Sequence, residues 1–199
     1  MNWDLHIRHF ESYLRVERSL SANSVEAYVR DVQKLAQFLD MRHRGLSPLS
    51  VKASHLRQFI QYIHELGMSA FSQARILSGI KSFYKYLQFE DLITHDPTAL
   101  LQGPKLGRKL PDTLDYAEIV RLLEAIDLSA PDGQRNRAIL EVLYSSGLRV
   151  SELVELKRSN LYFDLGFLRV VGKGNKERLV PIGRDAMKYL RIYLDQVRD

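Results

Sequence analysis

The sequence predicts a mostly α chain in two units, the second an α+β arrangement carrying a β-hairpin. Three observations predict it. Apolar residues step by three and four through most of the first ninety positions. Residues 103–112, GPKLGRKLPD, combine two glycines, two prolines and three cations without a hydrophobic period. Beyond Leu161 the period shortens, and two β-rich runs flank Gly172 and Gly174. The boundaries that follow are a helical unit over 1–102, a basic linker over 103–112 and a second unit over 113–199.

In the first unit Val25, Tyr28, Val32, Leu35 and Leu39 mark one face of a helix, and Asn23 with Glu26 three residues on reads as its start. Gly45, Ser47 and Pro48 interrupt it. A helix over about 53–66 turns Leu56, Phe59, Ile60 and Ile63 inward, and Gly67 ends it. Another over about 69–87 turns Ile76, Ile80, Phe83 and Leu87 inward. In the second unit Asp115 with Glu118 forms a capping-box signature, with Leu114 and Ile119 as a hydrophobic staple. Helices over about 115–127 and 133–146 follow, and Gly147 breaks the second. Arg149 to Leu156 reads as a short helix with Leu153 and Leu156 inward. Phe167 to Val171 and Glu177 to Val180 form the hairpin, and a last helix from Arg184 carries Met187, Leu190 and Leu194.

Composition narrows the function classes. Hydrophobic residues at 45% and charged residues at 27% suit folded cores and argue against a disordered chain. The net charge of +5 favours a polyanionic partner, nucleic acid before membrane surface. The chain has no cysteine, which excludes disulfides and thiolate metal sites. All six histidines (His6, His9, His43, His55, His64, His95) precede the linker without metal-ligand spacing, so no metal is expected. No apolar run approaches the ~20 residues of a membrane span, and the start lacks a signal-peptide core. The expected location is the cytoplasm.

Three groups of residues can carry chemistry. Arg75, Ser78, Ser82 and Lys85 share one face of the helix over about 69–87, with Gly79 and Lys81 beside them. Small polar residues between cations let a helix approach a DNA groove, and Arg75 and Lys81 are the candidate contacts. Taken alone, an ordinary solvated face explains the same pattern. Arg149 follows a Gly-Leu break, and Glu152 three residues on can orient its guanidinium; alone, this is equally a surface ion pair. The hairpin tip holds Lys173, Lys176 and Arg178 among Gly172, Gly174 and Asn175. Its order is not that of a nucleotide-binding P-loop. An arginine holds phosphate with a permanent charge, and a lysine can also deliver a proton.

The ordered combination is more specific than its parts. Tyr144-x-x-Gly147-Leu148-Arg149-x-Ser151-Glu152-Leu153, followed by a hairpin bearing GKGNKERLVP, resembles the tyrosine recombinase (phage-integrase-type) family. Within it the similarity is greatest to the bacterial Xer recombinases that resolve chromosome dimers. FESYLRVERSLSANSVEAYVRDV and SQARILSGIKSFYKYLQFEDLITHDPT resemble the first and last helices of their SAM-like core-binding domain. PKLGRKLPDTLDYAEIVRLL resembles the entry to the catalytic domain.

The resemblance implies a site-specific recombinase that cuts and rejoins duplex DNA through a 3′-phosphotyrosyl link, with no metal, ATP or other cofactor. It implies Arg149 as the first catalytic arginine, Lys173 as the proton donor to the leaving 5′ oxygen and Glu152 as a supporting residue. Arg75, Lys81, Lys176 and Arg178 stand as DNA-binding candidates. The implied partners are double-stranded DNA, further recombinase protomers in a tetramer, and a division-linked DNA translocase. The family's H-x-x-R box and nucleophilic tyrosine have no counterpart here: no histidine follows His95, and Tyr116, Tyr144, Tyr162, Tyr189 and Tyr193 lie outside any matching segment. The chain therefore reads as a truncated catalytic domain, unable to cleave alone. The alternatives are an integrase of a mobile element, a non-catalytic DNA-binding module with the same fold, and a generic helical protein whose basic face is solvated.

Overall fold

The computed structural model describes residues 3–107, 110–172 and 174–198. Its chain divides into two compact units, Met1–Lys109 and Leu110–Asp199.

The first unit is built from α1 (Trp3–Val16), α2 (Ala22–Arg42), α3 (Ala53–Glu65) and α4 (Ala70–Phe89). Each turns an apolar stripe to one core. Phe10 and Leu14 come from α1, Val25, Val32, Leu35 and Leu39 from α2, Leu56 and Phe59 from α3, and Ile76, Ile80, Phe83 and Leu87 from α4. All the inward residues expected of α4 are buried. Phe83 meets Phe10 edge-on, with ring centroids 5.3 Å apart. Tyr84 is fully buried, which pushes its phenol far above the usual range, and its hydroxyl donates to the Pro48 carbonyl at 3.4 Å.

The start of α2 differs from expectation. Ser21, not Asn23, is the N-cap and accepts from the Ser24 backbone N–H, while Glu26 forms an i,i+4 ion pair with Arg30. The preceding turn decides this. Ser19 adopts a positive φ of 47° and Leu20 N–H bonds back to the Leu14 carbonyl, so the chain has already reversed by Ser21.

The second unit contains α5 (Tyr116–Glu124), α6 (Gly133–Ser146), α7 (Val150–Val154) and α8 (Arg184–Ile192), which runs into a π turn over Tyr193–Val197. Between α7 and α8 lie β1 (Leu161–Tyr162), β2 (Phe167–Val171) and β3 (Glu177–Pro181), antiparallel in the order β1-β2-β3. The pairing of Val171 with Glu177 sets the hairpin register. Leu168 and Val170 point from β2 into a core with Val142, Leu148, Ile182, Ala186, Leu190 and Leu194. Strand β1 is too short to show a period in sequence.

The expected capping box of α5 is formed. Asp115 Oδ1 accepts from Glu118 N–H at 2.8 Å, and Glu118 Oε2 accepts from Asp115 N–H at 2.9 Å. Leu114, the expected staple residue, is 60% exposed. Gly147 ends α6 in the left-handed region at φ 58°, which swings the chain toward Arg149. Half-buried Arg137 joins the helices: it donates to the Leu123 carbonyl at 2.8 Å, pairs with Glu141, and lies 4.6 Å from the Tyr189 ring centroid. The Tyr189 ring thus packs against the Arg137 guanidinium.

Removing the α5 cap with Asp115→Ala is expected to cost about 1 kcal/mol. Urea denaturation of the two chains, compared at constant slope, measures it.

Candidate functional site

The site is assembled where α7 and the hairpin meet. Arg149 occupies the N-cap position of α7 with extended backbone, φ −70° and ψ 150°. Glu152, one turn on, folds back and accepts from the Arg149 backbone N–H through Oε2 at 2.8 Å. Its other oxygen accepts from Arg149 Nη1, also at 2.8 Å. The i,i+3 contact expected from the sequence is therefore made, and the backbone bond makes the carboxylate part of the helix start.

Arg178, 26 positions further along the chain, completes the arrangement. From β3 it donates Nη1 to Glu152 Oε1 at 2.8 Å and Nη2 to Oε2 at 2.9 Å, a two-toothed grip. Gly172, next to the hairpin tip, makes room for it. A Cβ there would lie 3.1 Å from Arg178 Nη1 and 3.3 Å from Glu152 Oε1. Gly174 and Asn175 take positive φ values of 74° and 58° to close the tip. The sequence marks Arg178 as a DNA-binding candidate of the hairpin; in the fold its guanidinium is engaged by Glu152.

Exposure separates the three partners. The Glu152 side chain is 4% exposed, that of Arg178 40% and that of Arg149 70%. The Arg178 bonds, then the Arg149 backbone N–H, hold the Glu152 carboxyl down to about 2, with burial working against them. The same bond raises Arg178 further. Glu152 is thus ionised throughout the neutral range. One carboxylate faces two guanidinium groups, so the cluster keeps a positive charge. Among the described residues Arg149 spends one of its five donors on Glu152. Its fork is aimed and still open to an anion.

The other sequence-derived candidates are distributed differently. Lys173 lies outside the described residues. Lys176 is exposed beside the hairpin tip. Lys81 is half-buried, and its Nζ donates to the Leu101 carbonyl at 2.9 Å, tying down the exit of the first unit. Arg75 is bound through Nη1 and Nη2 to Asp31, a partner 44 positions away that no local pattern reveals. Gly79, read as part of the outer face, is buried against that carboxylate. Among the described residues there is no cluster of three or more metal-ligating side chains, and no helix is long and apolar enough to cross a membrane.

Two family profiles cover most of the chain. "Phage integrase, N-terminal SAM-like domain" matches residues 7–91, and "Phage integrase family" matches residues 112–199. This chain belongs to the phage integrase family. Among its relatives is the protein named Tyrosine recombinase XerD of Staphylococcus saprophyticus, 39% identical over 98% of this chain and 66% of that protein. The protein of the same name from Chlorobaculum tepidum is 42% identical over 98% of this chain and 65% of its own length. The chain thus spans slightly under two thirds of the length of these relatives.

Solved structures share the fold at lower identity. The Tn1549 transposon integrase in complex with circular intermediate DNA has a TM-score of 0.70 at 18% identity, covering 97% of this chain and 65% of that one. The XerH site-specific recombinase bound to palindromic difH substrate has a TM-score of 0.67 at 20% identity, covering 94% and 57%.

Replacing Glu152 by glutamine leaves one acceptor oxygen for three donor groups. The variant is expected to unfold at lower denaturant than the parent at pH 7. Glu152 titrates near 2 when folded against an ordinary 4.5, so its ionised form stabilises the fold above pH 4.5 and progressively less as pH falls toward 2. The gap between the two chains should therefore narrow with acidification, as read by denaturation midpoints across that range.

Proposed function

We propose that this chain is part of a site-specific DNA recombinase that breaks and rejoins duplex DNA through a 3′-phosphotyrosyl intermediate. The observation that carries the reading is the Arg149 fork, anchored by a buried carboxylate that Arg178 grips from the hairpin. Phosphoryl transfer asks for positive charge already in position when the equatorial oxygens gain charge. A guanidinium with one tooth bound and the rest open meets that demand without reorganising during the reaction.

In this proposal a tyrosine hydroxyl gives up its proton to solvent and attacks the scissile phosphorus, and the bond to the 5′ oxygen breaks. Arg149 holds a non-bridging oxygen. Lys173 gives its proton to the leaving 5′ oxygen, a role that rests on its place between Gly172 and Gly174 in the family motif. The reverse transfer, with a new 5′-hydroxyl, reseals the strand and releases the tyrosine. The phosphodiester energy stays in the phosphotyrosyl bond, so neither metal nor nucleotide is consumed. Glu152 and Arg178 touch no reacting atom and act by positioning Arg149. Exposed Lys176 is assigned to the DNA backbone near the hairpin.

The first unit, with its basic α4 face, is assigned to core-site binding, and the net charge of +5 suits a duplex DNA partner. The name carried by relatives about 40% identical favours chromosome dimer resolution and segregation in the cytoplasm over mobile-element integration. Exchange between two duplexes requires further protomers, identical or related, on the DNA.

The test is a covalent protein–DNA band on a denaturing gel, using a nicked suicide duplex, no metal, and the gene product that contains this chain. Arg149→Ala is expected to reduce adduct formation by roughly 100-fold or more while duplex affinity stays within a few-fold. Equal loss of both would make Arg149 a general DNA-binding or structural residue. Failure of the parent protein to form the adduct, with intact duplex binding, would favour a binding module on the recombinase fold.

A further inference from the structure

We infer that Asp31 is a positioning residue for DNA binding, which holds the Arg75 guanidinium at the surface of the first unit in the orientation that takes a backbone phosphate. This rests on the DNA-binding reading above. Asp31 is 0% exposed on α2, whereas the Arg75 side chain on α4 is 48% exposed. Oδ2 accepts from Nη1 at 2.9 Å and Oδ1 from Nη2 at 2.7 Å. The carboxylate is thus dry and the guanidinium half wet. The surface pairs Glu11–Arg15 and Glu26–Arg30 are wet at both ends and fix little.

The fold makes specific room for this carboxylate. A Cβ on Gly79 would sit 2.6 Å from Asp31 Oδ2, so only glycine admits the side chain between the helices. Burying a carboxylate is costly, and an ion pair of this kind is a weak source of stability compared with apolar packing. What a two-toothed bond does supply is a fixed guanidinium plane. Two of the five N–H groups go to Asp31, leaving three for a ligand. Ser78 and Lys85 are exposed and Ser82 half-exposed along the same face of α4, and the charges of Arg30 and Lys34 act on Asp31 from its own helix. The surroundings are cationic and uncrowded, which suits a phosphate. The device matches the one at Arg149, where a buried carboxylate also holds an exposed guanidinium.

The charge sign makes the inference testable. Asp31→Asn removes a negative charge near a polyanion site, so electrostatics alone would tighten DNA binding. Positioning predicts the reverse. Binding of a fluorescein-labelled mixed-sequence duplex would be measured against salt for the parent chain, Asp31→Asn, Arg75→Lys, Arg75→Ala and the Asp31→Asn/Arg75→Ala double variant. Folding would be checked by helical circular dichroism.

Roughly three- to tenfold weaker binding is expected for Asp31→Asn and for Arg75→Lys, with the parent's salt slope. Arg75→Ala should weaken binding and lower the slope by about one. The double variant should bind like Arg75→Ala alone. Unchanged or tighter binding by folded Asp31→Asn, or additive losses in the double variant, would overturn the positioning role. If Asp31→Asn does not fold, Arg75→Lys decides alone, and parental affinity there overturns it. A parent chain that does not bind duplex DNA at all would instead remove the function reading on which the inference stands.

Discussion

Glu152 is the constraint on which the second unit's candidate site depends. A carboxylate almost closed to solvent must be paired, and the pairing here ties three parts of the chain together: the first turn of α7, the Arg149 side chain and the outer strand of the hairpin. Each bond limits another. The backbone bond at the α7 N-cap fixes where the carboxylate starts, the Arg178 grip fixes its plane, and that plane decides where the open part of Arg149 points. Gly172 follows from the same requirement, because a side chain there would crowd the Arg178–Glu152 contact.

The first unit solves a similar problem with different elements. Asp31 is sealed between α2 and α4 and holds Arg75 at the surface, and Gly79 is the local concession. In both places a dry carboxylate orients a wet guanidinium. Long basic side chains carry considerable rotamer entropy, and ordering one when a ligand binds is costly. A buried anchor moves that cost into folding, where a large apolar core offsets it. In the first unit that core includes fully buried Phe10, Phe59, Phe83 and Tyr84.

Much of the fold was legible in the residues. The apolar stripes of α2, α3 and α4, the break at Gly147 and the β2–β3 hairpin follow from local periodicity and turn chemistry, and α6 spans the expected 133–146. The misses have physical causes. Several residues near the start of α2 can cap a helix equally well, and the reversal after α1 chose Ser21. Strand β1 spans two residues and exists through its pairing with β2. At the site, Arg149 and Glu152 were legible because i,i+3 neighbours on a helix face one another.

The sequence by itself determined most of the elements, the basic character and the ordered motif that marks the family, since these depend on contacts within a few residues or on composition. Only the tertiary structure decided which cations are aimed and by what. Arg178 meets Glu152 across 26 positions, and Arg75 meets Asp31 across 44. No local period links such pairs. Their geometry arises when helix packing and strand register bring distant backbone segments together, and burial then obliges each carboxylate to take the partner within reach.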